Sequence, residues 1–295
     1  MQKFIMWPYR AFLLRYGIFL FACLLAGCSA LRLGYANGDT VVYWWLNSYI
    51  DINEEQKPWV RQDIERLFAW HRKTQLNDYA QYMEQIQQRL QRPVKPEEVM
   101  QDYAGIRKRS MVVIDKALPE LTRLAMDLQP EQLTHLEKKF ASNNEAYRKE
   151  YLRGNLEDRQ LFRFKKVLKQ AEYWFGNFTT EQEAQIRKAS DARPLDNELW
   201  AEERRQRQQE LLRILRKIQS DKPSREDASA MLRQYIERNF ENFTYAQHKD
   251  FFDDTRAGSA NMVAVIANVA TQEQRDHARE RLQKWIDDCR SLAAK

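Results

Sequence analysis

The chain has 295 residues, of which 48 are basic and 42 acidic, with only three cysteines, eight glycines and eight prolines. A net charge of +6 spread over so many charged groups gives no strong cationic field, so nucleic acid is excluded as an expected partner. Sparse Gly and Pro with abundant Gln, Arg, Glu and Leu favour long helices.

The first element is a targeting segment. Lys3, Arg10 and Arg15 are the only charges before Cys28, and Tyr16 to Gly27 carries none. Twelve such residues rise about 18 Å as a helix, short of the roughly 30 Å hydrocarbon core of a bilayer. Residues 1–27 therefore read as a signal peptide, the alternative being an uncleaved N-terminal anchor. Leu25-Ala26-Gly27-Cys28 resembles the bacterial lipobox. The resemblance implies cleavage before Cys28, a diacylglyceryl group on its thiol, and a further acyl chain such as palmitate on its freed amine. Several chains hold a protein to a membrane far more firmly than one. Ser29 in place of Asp implies, by likeness to enterobacterial-type lipoproteins, the periplasmic face of the outer membrane, with the inner membrane as the alternative.

Cleavage leaves 268 of the 295 residues and removes three basic groups and no acidic ones, so the net charge falls from +6 to +3. A phospholipid or peptidoglycan surface stays open as a partner. With Cys28 lipidated, Cys289 is the only thiol left, and no intramolecular disulfide can form. It is expected as a half-buried small side chain, or else in an intermolecular disulfide.

Residues 28–40 are expected as a lipidated tether. The run 41–50, VVYWWLNSYI, reads as a short helix whose Trp44 and Trp45 either pack in the core or touch the headgroup layer. From Glu54 to Leu90 apolar residues recur at helical spacing until Pro93 and Pro96. A second stripe follows on Val99, Tyr103, Ile106, Val113, Ala117, Leu121 and Leu124, with a kink expected at Pro119. Helices are predicted near 130–153, 156–175 and 180–190. ARPLDN, residues 192–197, separates a helical body, 41–191, from a C-terminal region, 198–295, expected to pack on it as one continuous unit. A helix from Glu198 to Ile218 carries EERRQRQQE, read as a solvated face or one turned to an absent partner. SDKPSRED is a turn with Ser224 and Asp227 at capping spacing. A helix then runs to about Phe252, and NMVAVIANVA leads into the last one, 272–291. No segment alternates with period two. The expected fold is all-α, an elongated bundle of about seven to nine helices, kinked at prolines.

Four helix starts share one pattern: Asn53-Glu54-Glu55-Gln56, Gln129-Pro130-Glu131-Gln132, Thr179-Thr180-Glu181-Gln182 and Thr271-Gln272-Glu273-Gln274. A Thr or Asn side chain can accept from an orphan N–H of the first turn, and the Gln can reach back to the cap's own N–H. Gln129 is a poor cap. The uneven spacing of the copies excludes a solenoid. The pattern also resembles the Leu-Thr-x-x-Gln repeats of small all-helical periplasmic chaperones of the Spy and CpxP type, with Phe178, Thr179 and Gln182 nearest to it. GYANGDTVVYWWLNSYIDINEEQ with Val60-Arg61, Phe68-Ala69-Trp70-His71-Arg72, Leu76 and Tyr79-Ala80 is similar to the DUF6279 family of proteobacterial lipoproteins. That likeness implies a helical lipoprotein and no catalytic residues.

Chemistry-bearing motifs are few. There is no HExxH, CxxC or phosphate loop, and no nucleophile elbow. His135 and His277 are expected on exposed first turns, and His71 as a hydrogen-bonded boundary residue. His248 with Asp250, Asp253 and Asp254 is the best metal candidate, but adjacent helix positions point apart. No metal, cofactor or catalytic activity is therefore expected. Arg163, Lys165, Lys166 and Lys169 give one helix a positive side, which with Trp44 and Trp45 forms the candidate interaction surface. The leading expectation is a tethered, non-enzymatic helical protein that binds or organises another envelope component, with an envelope protein as its partner. A tethered chaperone of unfolded or outer-membrane proteins, and an envelope enzyme, are the alternatives.

Overall fold

The computed structural model describes residues 30–241 and 248–294; residues 1–27, expected as a signal peptide, and Cys28 lie outside them. The described chain forms twelve helices and no strand. They are α1 (Ala30–Ala36), α2 (Gly38–Ile50), α3 (Lys57–Thr74), α4 (Leu76–Arg89), α5 (Pro96–Asp127), α6 (Pro130–Tyr151), α7 (Leu156–Phe175), α8 (Thr180–Asp191), α9 (Asn197–Asp221), α10 (Arg225–Glu241), α11 (Lys249–Val269) and α12 (Gln272–Ala293).

The all-α expectation holds, but seven to nine helices was too few. The stretch expected as a tether is helical over Ala30–Ala36. The periodic run 54–90 breaks at Gln75 because its apolar face changes partner there: Val60 and Ile64 face one core, Leu76 and Ala80 another. NMVAVIANVA is the second half of α11, a helix in its own right. Pro119 lies inside α5, where it removes one hydrogen bond from the ladder without ending the helix.

One core is built by α2, α3, α6, α9, α10 and the C-terminal half of α5. The other helices pack around α7, α8 and α11 and, next to them, α4 against α12. Gly105 allows α4 to approach α5 closely, since a Cβ there would meet the Tyr82 hydroxyl at 2.3 Å. That hydroxyl donates to Asp102, and Arg109 binds Asp78 through two hydrogen bonds of 2.7 and 3.0 Å.

The charged middle of α9 is not a solvated face. Glu203 is buried and accepts from Arg207, Glu210 takes Arg238 at 2.5 Å from α10, and Arg204 lies over the Tyr147 ring of α6. The run is polar because it lies between two helices that offer it polar partners.

The four repeated starts cap their helices and also pair with one another. Each Gln side chain accepts from the N–H of its own cap residue, Asn53, Gln129, Thr179 or Thr271, at 2.8–3.2 Å. Its amide then donates across to another corner. Gln56 and Gln132 exchange amide hydrogen bonds of 3.1 and 2.7 Å, and each also donates to a backbone carbonyl before the other's cap, Asp127 and Asp51 respectively. Gln182 and Gln274 do the same, reaching Val269 and Asn177. The histidine one turn on in α6 and α12 repeats as well: His135 bonds the Ser48 carbonyl, and His277 the Trp174 carbonyl at 2.8 Å. Both histidines are half-buried, not exposed. Ser48, Asp51 and Gln56 in one clasp thus match Trp174, Asn177 and Gln182 in the other.

At the N-terminal end α1 docks through Arg32 on buried Asp288, at 2.6 Å, and through the Tyr35 hydroxyl on His71 Nδ1, at 2.8 Å. Burial pushes the His71 pKa below its ordinary 6.5. The folded state then binds fewer protons than the unfolded chain just below pH 6.5, so stability falls as the pH drops through that value. We expect the urea midpoint to rise between pH 5 and 7, with a smaller slope in His71→Phe; an unchanged slope would assign the pH dependence elsewhere. Cys289 is buried close by, and burial with the neighbouring Asp288 raises its pKa.

Candidate functional site

The apolar stripe of α5 is better covered toward its C-terminal end, although Leu121 there stays 40% exposed. Leu124 is buried, whereas Tyr103 and Ile106 are 43 and 53% exposed. The 32-residue helix is about 48 Å long, and its first half rides over α11 without a further layer outside it. Between α4, α5, α7, α11 and α12 this leaves a cleft of about 700 Å³, lined by Leu90, Ile106, Val167, Trp174, Phe175 and Ile266 among others. Its few polar lining groups are largely occupied. Arg89 pairs with Asp102, and Lys166 binds Glu150 Oε1 at 2.5 Å and the Tyr151 hydroxyl at 2.7 Å.

A second cleft, of about 570 Å³, opens beyond Val99 and Val263, which line both. Its lining is of another kind: Arg163, Arg193 and Arg256 with Tyr147, Tyr151 and Trp200, and no carboxylate among the described residues. Arg163 holds the C-terminal end of α8, donating to the carbonyls of Ser190, Arg193 and Pro194 at 2.8–3.2 Å. This is a favourable place for a cation, at the negative end of a helix. Arg193 donates to Ser190 O and to Ser259 Oγ, and its Nη2 has no hydrogen-bond partner among the described residues. Among the described residues neither arginine forms a carboxylate ion pair. Burial, reinforced by the Arg163 charge and opposed by Asp191, lowers the Arg193 pKa to about 10. Gly258 makes room for it: a Cβ there would sit 3.0 Å from Arg193 Cγ.

The candidate surface residues do not assemble into one patch. Trp44 and Trp45 are 58 and 60% exposed on α2, and Trp45 lines a separate cleft of about 450 Å³ with Trp59 and Trp70. On α7, Lys165 and Lys169 are exposed, while Arg163 turns inward under the 190–194 loop and Lys166 sits at the rim of the large cleft. Within the same segment Phe164 is buried, and Tyr173 lies under Arg281. Cys28 lies outside the described residues.

Arg193 went unnoticed in the sequence because it stands in ARPLDN, a segment that reads as a break between helices. The one available signal was an arginine just after a helix end and directly before a proline. Tyr103 and Ile106 were read as part of one apolar stripe, and periodicity marks such a face without saying what covers it. Among the described residues no three His, Cys, Asp or Glu side chains converge to hold a metal ion. No described helix is long and apolar enough to cross a membrane.

No curated protein and no solved structure matches the chain. A family model does, over residues 48–241, from the last turns of α2 through α10. The match takes in the whole first clasp and two of the three arginines of the second cleft, Arg163 and Arg193. The chain therefore belongs to DUF6279, a family of unknown function.

Proposed function

We propose that this protein is a lipid-anchored periplasmic helical protein, tethered through Cys28 to the outer membrane, that binds a component of the cell envelope without catalysis. The observation that carries the binding function is the large apolar cleft beside the uncovered half of α5. Concave, mostly apolar sites of roughly 300–1,000 Å³ with a few polar groups are where proteins hold ligands. Exposed apolar surface of this kind is retained for contact. The lipobox-like Leu25-Ala26-Gly27-Cys28 supports the anchor.

The test is in-cell photocrosslinking of the full chain from position 106, inside the cleft, against position 112, exposed on the same helix but outside it. A discrete adduct from 106 and none from 112 is the expected result, and equal yields at both positions would remove the cleft from the function. In the same cells Cys28→Ala should abolish acyl labelling and release the protein from the membrane fraction; labelling that persisted would end the lipobox assignment. A tethered chaperone is favoured by one observation, the exposed row Met100, Tyr103 and Ile106. It predicts a broad spectrum of adducts instead of one.

A further inference from the structure

We propose that the two clefts flanking Val99 and Val263 form one site for a single-chain anionic amphiphile, a long-chain fatty acid, with its carboxylate at Arg193 and its chain along α5. This rests on the reading that the cleft binds an envelope component, and names the class of that component.

The site is divided chemically along its length. One end, of about 700 Å³, is walled by aliphatic and aromatic side chains from five helices, with its ion pairs already closed at the rim. The other end presents arginines with no lining carboxylate. Val99 and Val263 belong to both, so an extended molecule passes from one to the other beside them. A ligand apolar throughout would leave the arginine end unsatisfied, and a small polar anion would leave the apolar end wet. A chain carrying one terminal carboxylate meets both, its methylenes gaining by leaving water.

The arginine end is built for an oxyanion. Arg163 and Arg193 converge on the end of α8, where backbone carbonyls hold Arg163 on three hydrogen bonds. Arg193 is fixed at Nε and Nη1 and keeps Nη2 free among the described residues. A guanidinium already held in place binds a carboxylate at little entropic cost. Burial first, and the nearby Arg163 charge second, disfavour the Arg193 cation, and an anion bound beside the two guanidiniums offsets both. The Thr255 and Ser259 hydroxyls line the same end but already donate to the Phe251 and Thr255 carbonyls, so the oxyanion contact falls to the arginines. A docked amphipathic helix, about 10 Å across, would need an open groove, whereas this volume is that of a small-molecule site.

The experiment uses the full chain in phosphatidylcholine nanodiscs with a diazirine-bearing palmitate, followed by peptide mapping. Labelled peptides should contain Val99–Ile106 and Met262–Ile266. Unlabelled palmitate should compete at least about tenfold better than hexadecan-1-ol, the value of one charge-assisted hydrogen bond. Arg193→Gln should remove that preference, and Arg193→Lys should restore part of it. Val263→Arg, at a half-exposed position where folding tolerates the change, should abolish labelling. Thermal melts of each variant confirm that it folds. Equal competition by the alcohol, labelling confined to α2, or labelling unaffected by Val263→Arg overturns the proposal. If palmitate fails to label while position 106 still captures a partner in cells, the fatty acid is wrong and the binding cleft stands. If neither gives an adduct, both fall.

Discussion

Replacing Gln56 with alanine should lower the unfolding free energy by about 3 kcal/mol, an unusually large loss for a glutamine at a helix start. Gln56 is 1% exposed and Gln132 5%. An ordinary capping side chain is worth ~1 kcal/mol because water replaces it when it is lost. Here water has no access. Removing the Gln56 side chain leaves the Gln132 amide without one acceptor and the Asn53 N–H without its side-chain partner, takes a donor from the Asp127 carboxylate, and leaves the Asp127 carbonyl to Gln129 Nε2. Each buried group left unsatisfied costs about 1–3 kcal/mol. The Asn53 side chain still accepts from the backbone N–H of residue 56, which limits the loss. Because the two glutamines share one set of bonds, Gln56→Ala and Gln132→Ala together should cost clearly less than the sum of the singles. Urea denaturation of the two single variants and the double variant measures this. Effects that add within about 0.5 kcal/mol would reduce the clasp to two independent caps.

Phe252→Ala should cost about 3–5 kcal/mol, the usual range for deleting a buried aromatic ring. Phe252 has no exposed surface, and its ring meets Trp200 edge-on with centroids 4.8 Å apart. It fastens the first turn of α11 to the first turn of α9. Trp200 also lines the arginine cleft, so the loss should be local as well as global. Tryptophan emission should shift to the red below the melting transition, while Phe252→Leu, which refills most of the volume, should keep the wild-type spectrum. A melting temperature within about 2 °C of wild type for the alanine variant would show that the ring is dispensable.

Where each helix begins was the most legible feature of the sequence. Pro, Glu and a cap residue act within one turn, so Thr179, Thr271, Asn155 and Asp196 cap as local chemistry dictates. The number of helices was less legible, because helical periodicity survives a one-residue break such as Gln75, where only the packing partner changes. Burial was harder still. The stripe of Tyr103 and Ile106 has the spacing of a core face, and EERRQRQQE the composition of a solvated one, yet the first is exposed and the second packed. Both depend on the neighbouring helix, which no local pattern names. The site was invisible for the same reason: Arg163 was read as part of a basic face, and Arg193 as a linker residue. Only the meeting of α5, α8 and α11 gives them a common cleft.

The glutamine pairing carries a consequence for how such a protein could arise. Within each clasp the two corners do the same thing to one another, donor for donor and acceptor for acceptor, as subunits do across a two-fold axis. A chain bearing a single corner could satisfy these amides only by meeting a second copy of itself. Fusion of two such corners makes the partner permanent, and doubling that fused unit gives a chain with the present two clasps, where α6 and α12 still have the same length of 22 residues. Once a symmetric pair is covalently joined, its halves are free to diverge, and α5 at 32 residues against α11 at 21 is such a divergence. The large cleft lies against the first half of α5, on the longer of the two arms.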